Sequence, residues 1–98
     1  MIVITGAAGF IGSCLLNRLN NKGHHDIIIV DDFSNPVKNK NILNKAFISQ
    51  VHRNDFFTWL DANHKNVSFV FSIGILCKIL NTMYGDFSDY SLRYWHKK

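Results

Sequence analysis

The sequence is poor in cysteine and proline, with two of the former and one of the latter in 98 residues. Cys14 and Cys77 have no closely spaced cysteine or histidine partners, so the sequence suggests neither a disulfide framework nor a structural zinc site. We expect Cys14 to be a core residue rather than a nucleophile. No H-E-x-x-H pattern is present, and we expect solvated side chains at all five histidines: His24, His25, His52, His64 and His96. The composition therefore favours a cytoplasmic protein without a metal site.

The sequence also lacks a long apolar run and a dense basic stripe. Its longest apolar stretch, residues 69–80, is interrupted by Lys78 and is too short to cross a bilayer. Residues 1–16 are apolar but have no basic leader, so they do not indicate a signal peptide. The formal net charge of +4 comes from scattered lysines and arginines. We therefore expect neither a membrane nor a nucleic acid as partner, while a dinucleotide suits the positive charge.

What is present is typical of a globular domain. Apolar residues make up 47% of the chain and are spread along it, which argues against disorder. A chain of 98 residues can form one compact domain with a modest core. The sequence contains no internal repeat, low-complexity linker or second-domain boundary that we can identify. We therefore expect a single domain.

The first third of the chain has the pattern strand, helix, strand. Residues 1–5 are apolar and mostly β-branched and stop at Gly6, as a buried parallel strand does. Apolar residues recur at helical spacing from Phe10, and this helix is expected to end near residues 22–23. Residues 26–31 are a second buried-strand pattern. Parallel strands joined by a helix require a right-handed crossover, which places the chain in the α/β class.

Weaker signals follow in the middle of the chain. Residues 34–36 indicate a turn or a helix start, and residues 46–51 indicate a short third strand. Asn54 is the predicted N-cap of a helix that reaches about Ala62. The apolar residues of that helix recur at a spacing that predicts an inward face: Phe56, Phe57 and Leu60. Trp59 is expected to contribute to packing.

Residues 67–71 predict a fourth strand beside the first. The expected architecture is an α/β fold with an incomplete Rossmann-type parallel sheet, strand order 3-2-1-4 and flanking helices. In that order the loop at residues 72–74 borders the cofactor crevice. Beyond Gly74 the pattern is ambiguous, because an apolar helical face at residues 75–80 is soon interrupted at residues 84–86.

Three glycines stand between the first strand and the first helix, spaced G-x-x-G-x-x-G. Gly6 permits a tight turn, Gly9 allows the backbone to approach a pyrophosphate, and Gly12 allows close packing of helix on strand. The helix N-terminus supplies free N–H groups for the phosphates. Asp31 follows at the end of the second strand, where a carboxylate can accept a ribose hydroxyl. This arrangement predicts dinucleotide binding. The alternative interpretation is a glycine turn and a surface aspartate that occur together by chance and bind no ligand.

The residues of this turn carry a family resemblance. T-G-x-x-G-F-I-G at residues 5–12 resembles the opening of the extended short-chain dehydrogenase/reductase family, which includes NAD-dependent epimerases and dehydratases of nucleotide sugars. The strand at residues 26–30 and the segment Asp31-Asp32-Phe33, with Lys38 downstream, are most similar to the heptose epimerases of that family. The resemblance covers about residues 1–74.

The resemblance implies an isomerase of carbohydrate metabolism whose substrate, in full-length members, is a nucleotide sugar. Residues 1–74 would form its NAD(P)-binding Rossmann portion. Residues 75–98 would be a divergent tail rather than a separate domain.

The family's cofactor-binding positions correspond to suitable residues here: Gly6, Gly9, Phe10, Ile11, Gly12, Asp31, Asp32, Lys38, Arg53 and Gly74. The resemblance implies that the two aspartates meet the adenosine ribose and that Lys38 and Arg53 approach its phosphate side. Aspartate at the ribose favours NAD, whereas the two cations can accommodate the 2′-phosphate of NADP, so both cofactors remain open. The simpler interpretation of the two cations is solvated surface charge.

Family chemistry oxidises and then reduces a sugar carbon, with a Tyr-x-x-x-Lys pair and a nearby serine or threonine as acid and base. The resemblance implies that these residues lie beyond residue 98. Tyr94 and Lys98 have the spacing but occur too early and lack the preceding strand, so we interpret them as a chance match. We therefore expect no catalytic residue here, and a chain truncated before its catalytic residues that is inactive by itself.

Three alternatives remain: a non-catalytic dinucleotide-binding module, an active enzyme that uses Tyr94 and Lys98, and a basic nucleic-acid binder. Without later strands, the fourth strand would be an exposed sheet edge beside uncovered apolar surface. We therefore expect marginal stability or self-association, including a homo-oligomer.

Overall fold

A computed structural model of the chain describes residues 1–73 and the strand at residues 92–96. Its helices and strands are β1 (Ile2–Thr5), α1 (Phe10–Asn21), β2 (Ile27–Asp31), α2 (Pro36–Asn39), β3 (Ser49–His52), α3 (Phe56–Asn63), β4 (Phe69–Ile73) and β5 (Leu92–His96). Short 3-10 turns occupy Lys40–Ile42, Arg53–Asp55 and His64–Asn66. The expected crevice residue Gly74, the apolar positions 75–80 and Lys98 lie outside the described residues.

The strands form one sheet in the order β3-β2-β1-β4-β5. Strands β1 to β4 are parallel, and β1 lies between β2 and β4, so that Ile4 faces Ile29 on one side and Phe71 on the other. The predicted α/β class and the Rossmann-type order 3-2-1-4 are confirmed. As in other sheets of this type, the carboxyl ends of the parallel strands meet at one edge, where ligands bind.

Alternate side chains of the central strands pack on opposite faces of the sheet, as period-two geometry requires. On one face α3 covers Val3, Ile28 and Val30 with the buried side chains of Phe56 and Leu60. On the other face α1 contributes Leu16 to a cluster with further residues of the strands, the glycine turn and the 3-10 turn: Ile4, Ala7, Ala8, Ile27, Ile29 and Ile42. Helices therefore pack on both faces of the sheet. This packing fixes the position of the carboxyl edge of the strands, where a site can form.

The third strand is shorter than predicted. It covers Ser49–His52 rather than residues 46–51, because Asn20 of α1 takes the backbone of Ala46 out of the ladder. The Asn20 Oδ1 atom accepts the Ala46 N–H at 2.8 Å, and its Nδ2 atom donates to the Ala46 carbonyl at 2.9 Å. With both of its backbone groups bound in this way, Ala46 does not pair with β2, and the first bond to β2 comes from the Ile48 N–H to the Ile27 carbonyl at 2.8 Å.

The fourth strand begins and ends two residues later than predicted, at Phe69 and Ile73 rather than at residues 67 and 71. The polar Ser72 belongs to it because its buried hydroxyl lies 2.9 Å from the Thr5 hydroxyl of β1. A buried serine satisfied by a neighbouring strand continues the ladder, although it interrupts the apolar run in the sequence.

Two further expectations were wrong. Asn54 is not the cap of α3, since the N-cap is Asp55 and a 3-10 turn precedes it; the Asn54 N–H instead donates to Nδ1 of His52 at 3.1 Å. Cys14, expected in the core, is exposed on α1. The expected packing of Trp59 is confirmed, because its partly buried ring stacks on Phe56 with centroids 6.2 Å apart.

The fourth strand is not a sheet edge, contrary to the sequence-based expectation. Strand β5 pairs with it antiparallel, with Leu92 opposite Ile73 and His96 opposite Phe69. The aromatic-rich end of the chain thus supplies the neighbour that β4 was expected to lack. Within the described residues, none of the helices has the length and apolarity that crossing a bilayer requires.

Candidate dinucleotide-binding site

The glycine-rich turn joins β1 to α1 at the carboxyl edge of the sheet. Gly6 has a φ of 70°, which favours glycine, and its N–H donates to the Val30 carbonyl at 2.8 Å. A Cβ atom on Gly12 would overlap the Gly6 carbonyl oxygen and lie 2.8 Å from the Cα of Ala7. The first turn of α1 can therefore pack against the loop only because residue 12 has no side chain.

Gly9 differs from the other two glycines, because the protein itself leaves room for a side chain there. Its φ is −73°, and a Cβ atom would lie 3.4 Å from the Gly6 carbonyl oxygen, an ordinary contact. Gly9 is also the N-cap of α1, yet no side chain caps the helix and its first turn holds no acidic residue. The first turn of α1 thus has no acidic side chain of its own at the positive end of the helix dipole.

The two residues that follow Gly9 present apolar side chains to solvent at the same edge. Phe10 is 80% exposed and Ile11 is 46% exposed, although both lie in the first turn of a helix whose opposite face is core. Exposed large apolar side chains beside an open helix N-terminus are typical of a ligand surface. They occupy the positions at which family resemblance places the cofactor.

Asp31 ends β2 and is 7% exposed. Its Oδ2 atom accepts the N–H of Ala8 in the glycine turn at 3.0 Å, and its Oδ1 atom accepts the N–H of Asp32 at 2.7 Å. The Nζ atom of Lys38, on α2, lies 3.7 Å from Oδ1. One buried carboxylate therefore joins the glycine turn, the end of β2 and a cation.

Asp32 is more exposed and faces the end of β3. Its Oδ1 atom lies 3.4 Å from Nε2 of His52, and its Oδ2 atom lies 3.7 Å from Nη2 of Arg53. A hydrogen bond from Ser34, followed by the positive charge of Arg53 and contact with His52, lowers the pKa of the Asp32 carboxyl below its ordinary value. Asp32 is therefore held as a carboxylate at neutral pH.

These residues surround a cavity of about 230 Å³. It is lined by Ala8, Asp31, Asp32, Phe33, Ser34, Asn35, Lys38, Asn39 and Arg53. Phe33 adopts the left-handed region, with a φ of 61°, and its carbonyl accepts a hydrogen bond from Asn39 Nδ2 at 2.8 Å. A bulky residue in this conformation is strained, and such strain is concentrated at functional sites.

The structure brings together most of the predicted site residues. Asp31, Asp32, Lys38 and Arg53 line one cavity, and Ala8 connects it to the turn that contains the glycines. The side chains of Lys38 and Arg53 are 47% and 50% exposed. They are surface charges, as the simpler interpretation held, but each is paired with a carboxylate of the cavity.

Sequence reasoning missed several contributors to the site. Asn41 donates from Nδ2 to the Ala8 carbonyl at 2.8 Å, and no local pattern indicates it. Asn35 caps α2 by accepting the N–H groups of Val37 and Lys38, a role that the Asn-Pro dipeptide could have indicated. His52 was expected to be merely solvated, yet it contacts Asp32; its position opposite Asp31 in the ladder was the available signal.

No group of three or more histidine, cysteine, aspartate or glutamate side chains within the described residues could hold a metal ion.

The chain is similar to proteins of known family. The profile of the NAD dependent epimerase/dehydratase family matches residues 2–74. An ADP-L-glycero-D-manno-heptose-6-epimerase of Nitratidesulfovibrio vulgaris is 45% identical over 56 residues, which cover 57% of this chain and 17% of that protein. The same enzyme of Brachyspira hyodysenteriae is 35% identical over 85 residues, covering 84% and 27%. That of Pseudomonas paraeruginosa is 46% identical over 55 residues, covering 56% and 17%. The chain therefore spans between 17% and 27% of the length of these relatives.

Proposed function

Because the chain belongs to the NAD dependent epimerase/dehydratase family, we propose that it binds NADP as the dinucleotide-binding portion of an epimerase of ADP-linked heptose. The family resemblance of the opening motif is confirmed, and the family implies a nicotinamide dinucleotide as cofactor. The sugar and the phosphorylated form of the cofactor are our proposals. The sugar comes from the names of the relatives, which the chain covers only in part.

The helix α1 fits the pyrophosphate. Its first turn has no acidic side chain and no side-chain cap, and Gly9 leaves its backbone open to a close neighbour. A pyrophosphate at this position would accept the free N–H groups of the first turn and face the positive end of the helix dipole. The exposed side chains of Phe10 and Ile11 would lie against the cofactor and lose contact with water.

The charged residues fit the adenosine ribose. Asp31 and Asp32 would accept ribose hydroxyls, as an acid at the end of the second strand does in this fold. Lys38 and Arg53 line the same cavity and would hold a 2′-phosphate, with the Arg53 guanidinium able to form two parallel hydrogen bonds to it. Two cations at one ribose edge are more than the unphosphorylated cofactor needs, which supports NADP over NAD.

The single observation that carries the proposal is the position of Asp31. It is a buried carboxylate at the end of β2 that bonds to Ala8 of the glycine turn and lies beside Lys38. A glycine turn alone occurs often by chance, but a turn joined in this way to an acid and a cation is the arrangement that a dinucleotide requires.

The nicotinamide, when bound, would accept a hydride from a sugar carbon and return it to that carbon. The residues of this chain would bind and orient the adenosine and pyrophosphate. We assign no catalytic residue here: Tyr94 belongs to strand β5 and not to a helix, so it lacks the spacing that places residues i and i+4 side by side. We therefore propose that the chain binds the cofactor without turning over a substrate by itself.

Calorimetric titration of the purified chain with NADP and with NAD tests this proposal. We expect saturable binding of both, tighter for NADP, and weaker by about tenfold or more in Gly9→Ala, because a methyl group there would displace a charge-assisted hydrogen bond worth roughly 1.5–3 kcal/mol. Asn21→Ala is the control, since this exposed, uncharged residue ends α1 at the opposite end from the glycine turn. A folded chain that binds neither dinucleotide would refute the proposal.

A further inference from the structure

Ala8, in the middle of the glycine turn, has both of its backbone polar groups bound by distant side chains. Its N–H donates to Oδ2 of Asp31 at 3.0 Å, and its carbonyl accepts a hydrogen bond from Nδ2 of Asn41 at 2.8 Å. Asp31 ends β2, whereas Asn41 belongs to the 3-10 turn at Lys40–Ile42. The conformation of the turn at Ala8 is therefore set by two partners that lie 23 and 33 residues away in the chain.

The bond from Asn41 holds the peptide that leads into α1. This peptide joins Ala8 to Gly9, and its other end is also held, because the Gly9 N–H donates to the Gly6 carbonyl at 3.1 Å. A trans peptide is planar and its C=O and N–H point in opposite directions, so a partner at the carbonyl also fixes the direction of the N–H. Because Gly9 has no Cβ atom to hinder rotation, the orientation of this peptide depends on its hydrogen bonds.

The orientation of this peptide matters for an anion at the start of α1. Gly9 is the N-cap of the helix, and the N–H groups of a first helical turn have no partner within the helix. An anion there would interact with those N–H groups and with the positive end of the helix dipole. Without Asn41 the Ala8 carbonyl would be free to rotate towards the anion, which its oxygen would repel.

The segment that contains Asn41 is held in place by apolar packing. The next residue, Ile42, is 7% exposed and packs in one core cluster with Ala7 and Ala8. Asn41 itself is exposed. Its amide thus adds a hydrogen bond to a segment that Ile42 already anchors, and substitution of Asn41 should leave the fold intact.

We infer that Asn41 is a positioning residue for the dinucleotide, whose amide orients the peptide between Ala8 and Gly9 so that the first turn of α1 can bind the pyrophosphate. It acts through the glycine turn rather than by contact with the adenosine. Affinity rises when a site is held in its binding conformation beforehand, because less ordering remains to be done on binding. The inference rests on the proposed function, because it concerns the same dinucleotide site.

The first test compares two ligands that share the adenosine 2′-phosphate, NADP and adenosine 2′-monophosphate, of which only NADP has a pyrophosphate. Asn41→Leu keeps the approximate size of the side chain and removes its hydrogen-bond donor. It should weaken NADP binding by about threefold to tenfold, the effect of one hydrogen bond, and change binding of the monophosphate by less than about twofold. Calorimetry measures NADP, and competition with NADP measures the monophosphate. Asn41→Ala, which also removes the donor, should have the same effects.

Asn63→Leu is the matched control. Asn63 also donates from Nδ2 to a backbone carbonyl at 2.8 Å, that of Trp59, but it ends α3, which packs on the other face of the sheet. This variant should bind both ligands as the wild type does.

Hydrogen exchange of the ligand-free protein tests the turn itself. In Asn41→Leu the Gly9 N–H should exchange about threefold to tenfold faster, whereas the Gly6 N–H, which donates to the Val30 carbonyl, should keep its rate. An unchanged Gly9 rate, an unchanged NADP affinity, or an equal loss of affinity for both ligands would overturn the role of Asn41. Absence of NADP binding by the wild type, or of competition by the monophosphate, would instead overturn the proposed function and this inference with it.

Discussion

Two regions of the site are built in different ways. The glycine turn is made of backbone: Gly6, Gly9 and Gly12 position carbonyl and N–H groups, and the space between Gly6 and Gly12 admits no further atom. The rim is defined as Asp31, Asp32, Lys38, His52 and Arg53. It is made of side chains from β2 and the residue after it, from α2, from β3 and from the 3-10 turn that follows β3. Its ion pairs lie between 3.4 and 3.7 Å and are mostly half-exposed.

The difference in construction between the turn and the rim suits them to two different functions. A backbone turn that admits no added atom at Gly12 is part of the folded core, and its uncapped Gly9 is where an anion could approach. Partly exposed side chains contribute little to stability but can change partners, so they are suited to choosing between two similar ligands. Substitution of Gly12 should therefore affect folding, substitution of Gly9 should affect binding and leave the fold intact, and substitutions in the rim should affect selectivity.

The largest effect is expected within the turn. Gly12→Ala should lower the free energy of unfolding by about 3 kcal/mol, because its Cβ would overlap backbone that cannot move aside. Gly9→Ala adds the same atom three residues earlier, at a φ of −73°, and should change stability by less than about 0.5 kcal/mol. Urea unfolding followed by circular dichroism measures both. Equal destabilisation by the two variants would contradict the steric account of Gly12.

Asp31 joins the two regions and should have the next largest effect. Asp31→Ala leaves the buried N–H of Ala8 without its acceptor and should cost about 2 kcal/mol of stability. Asp26→Ala is the matched control at the other end of β2, where the carboxylate is 67% exposed and pairs with the N-terminal amino group. That pair should be worth less than about 1 kcal/mol. Equal losses of stability in Asp31→Ala and Asp26→Ala, measured by thermal unfolding, would contradict this role of Asp31.

Arg53 should affect ligand choice and leave the fold intact. Arg53→Gln should weaken NADP binding by about tenfold, since it removes a charge-assisted contact, and change NAD binding by less than about twofold. Arg18→Gln, in the last turn of α1, is the matched control and should leave both affinities unchanged. Calorimetry at constant ionic strength measures the ratio. A parallel loss of both dinucleotides would mean that Arg53 supports the site rather than selecting the cofactor.

The smallest effect should come from the titration of Asp32. Its pKa is lowered in the folded protein, so its carboxylate stabilises the fold above its ordinary pKa, and this contribution is lost as the pH falls through the lowered value. The stability advantage of the wild type over Asp32→Asn should therefore shrink below about pH 4. Urea unfolding at several pH values measures it. An advantage that is independent of pH would show that the carboxylate charge is not involved.

The same division explains what the sequence could predict. The turn and the βαβ unit are local: spacing of glycines, β-branched runs and a terminal acid predict them correctly. The bounds of β3 and β4 depend on Asn20 binding Ala46 and on Thr5 meeting Ser72, which are far apart in the chain. Hydrophobic periodicity carries no information on such side-chain contacts, so the predicted bounds of these two strands differ from the observed ones by one to three residues.

The rim was predicted in part for the same reason. Asp31 is indicated by its place after a strand, whereas Lys38 and Arg53 came from family resemblance. His52 and Asn41 could be assigned to the site only from the strand register and the tertiary contacts of the folded chain, because their partners, Asp32 and Ala8, are distant in sequence. Gly74, in contrast, stays a prediction, since it lies outside the described residues.

Strand β5 has a consequence for assembly. It occupies the antiparallel position beside β4, so that both neighbours of β4 in the sheet are taken. A segment of the same chain competes for that position at an effective concentration on the order of millimolar. Any further strand would therefore have to displace β5 before it could pair with β4.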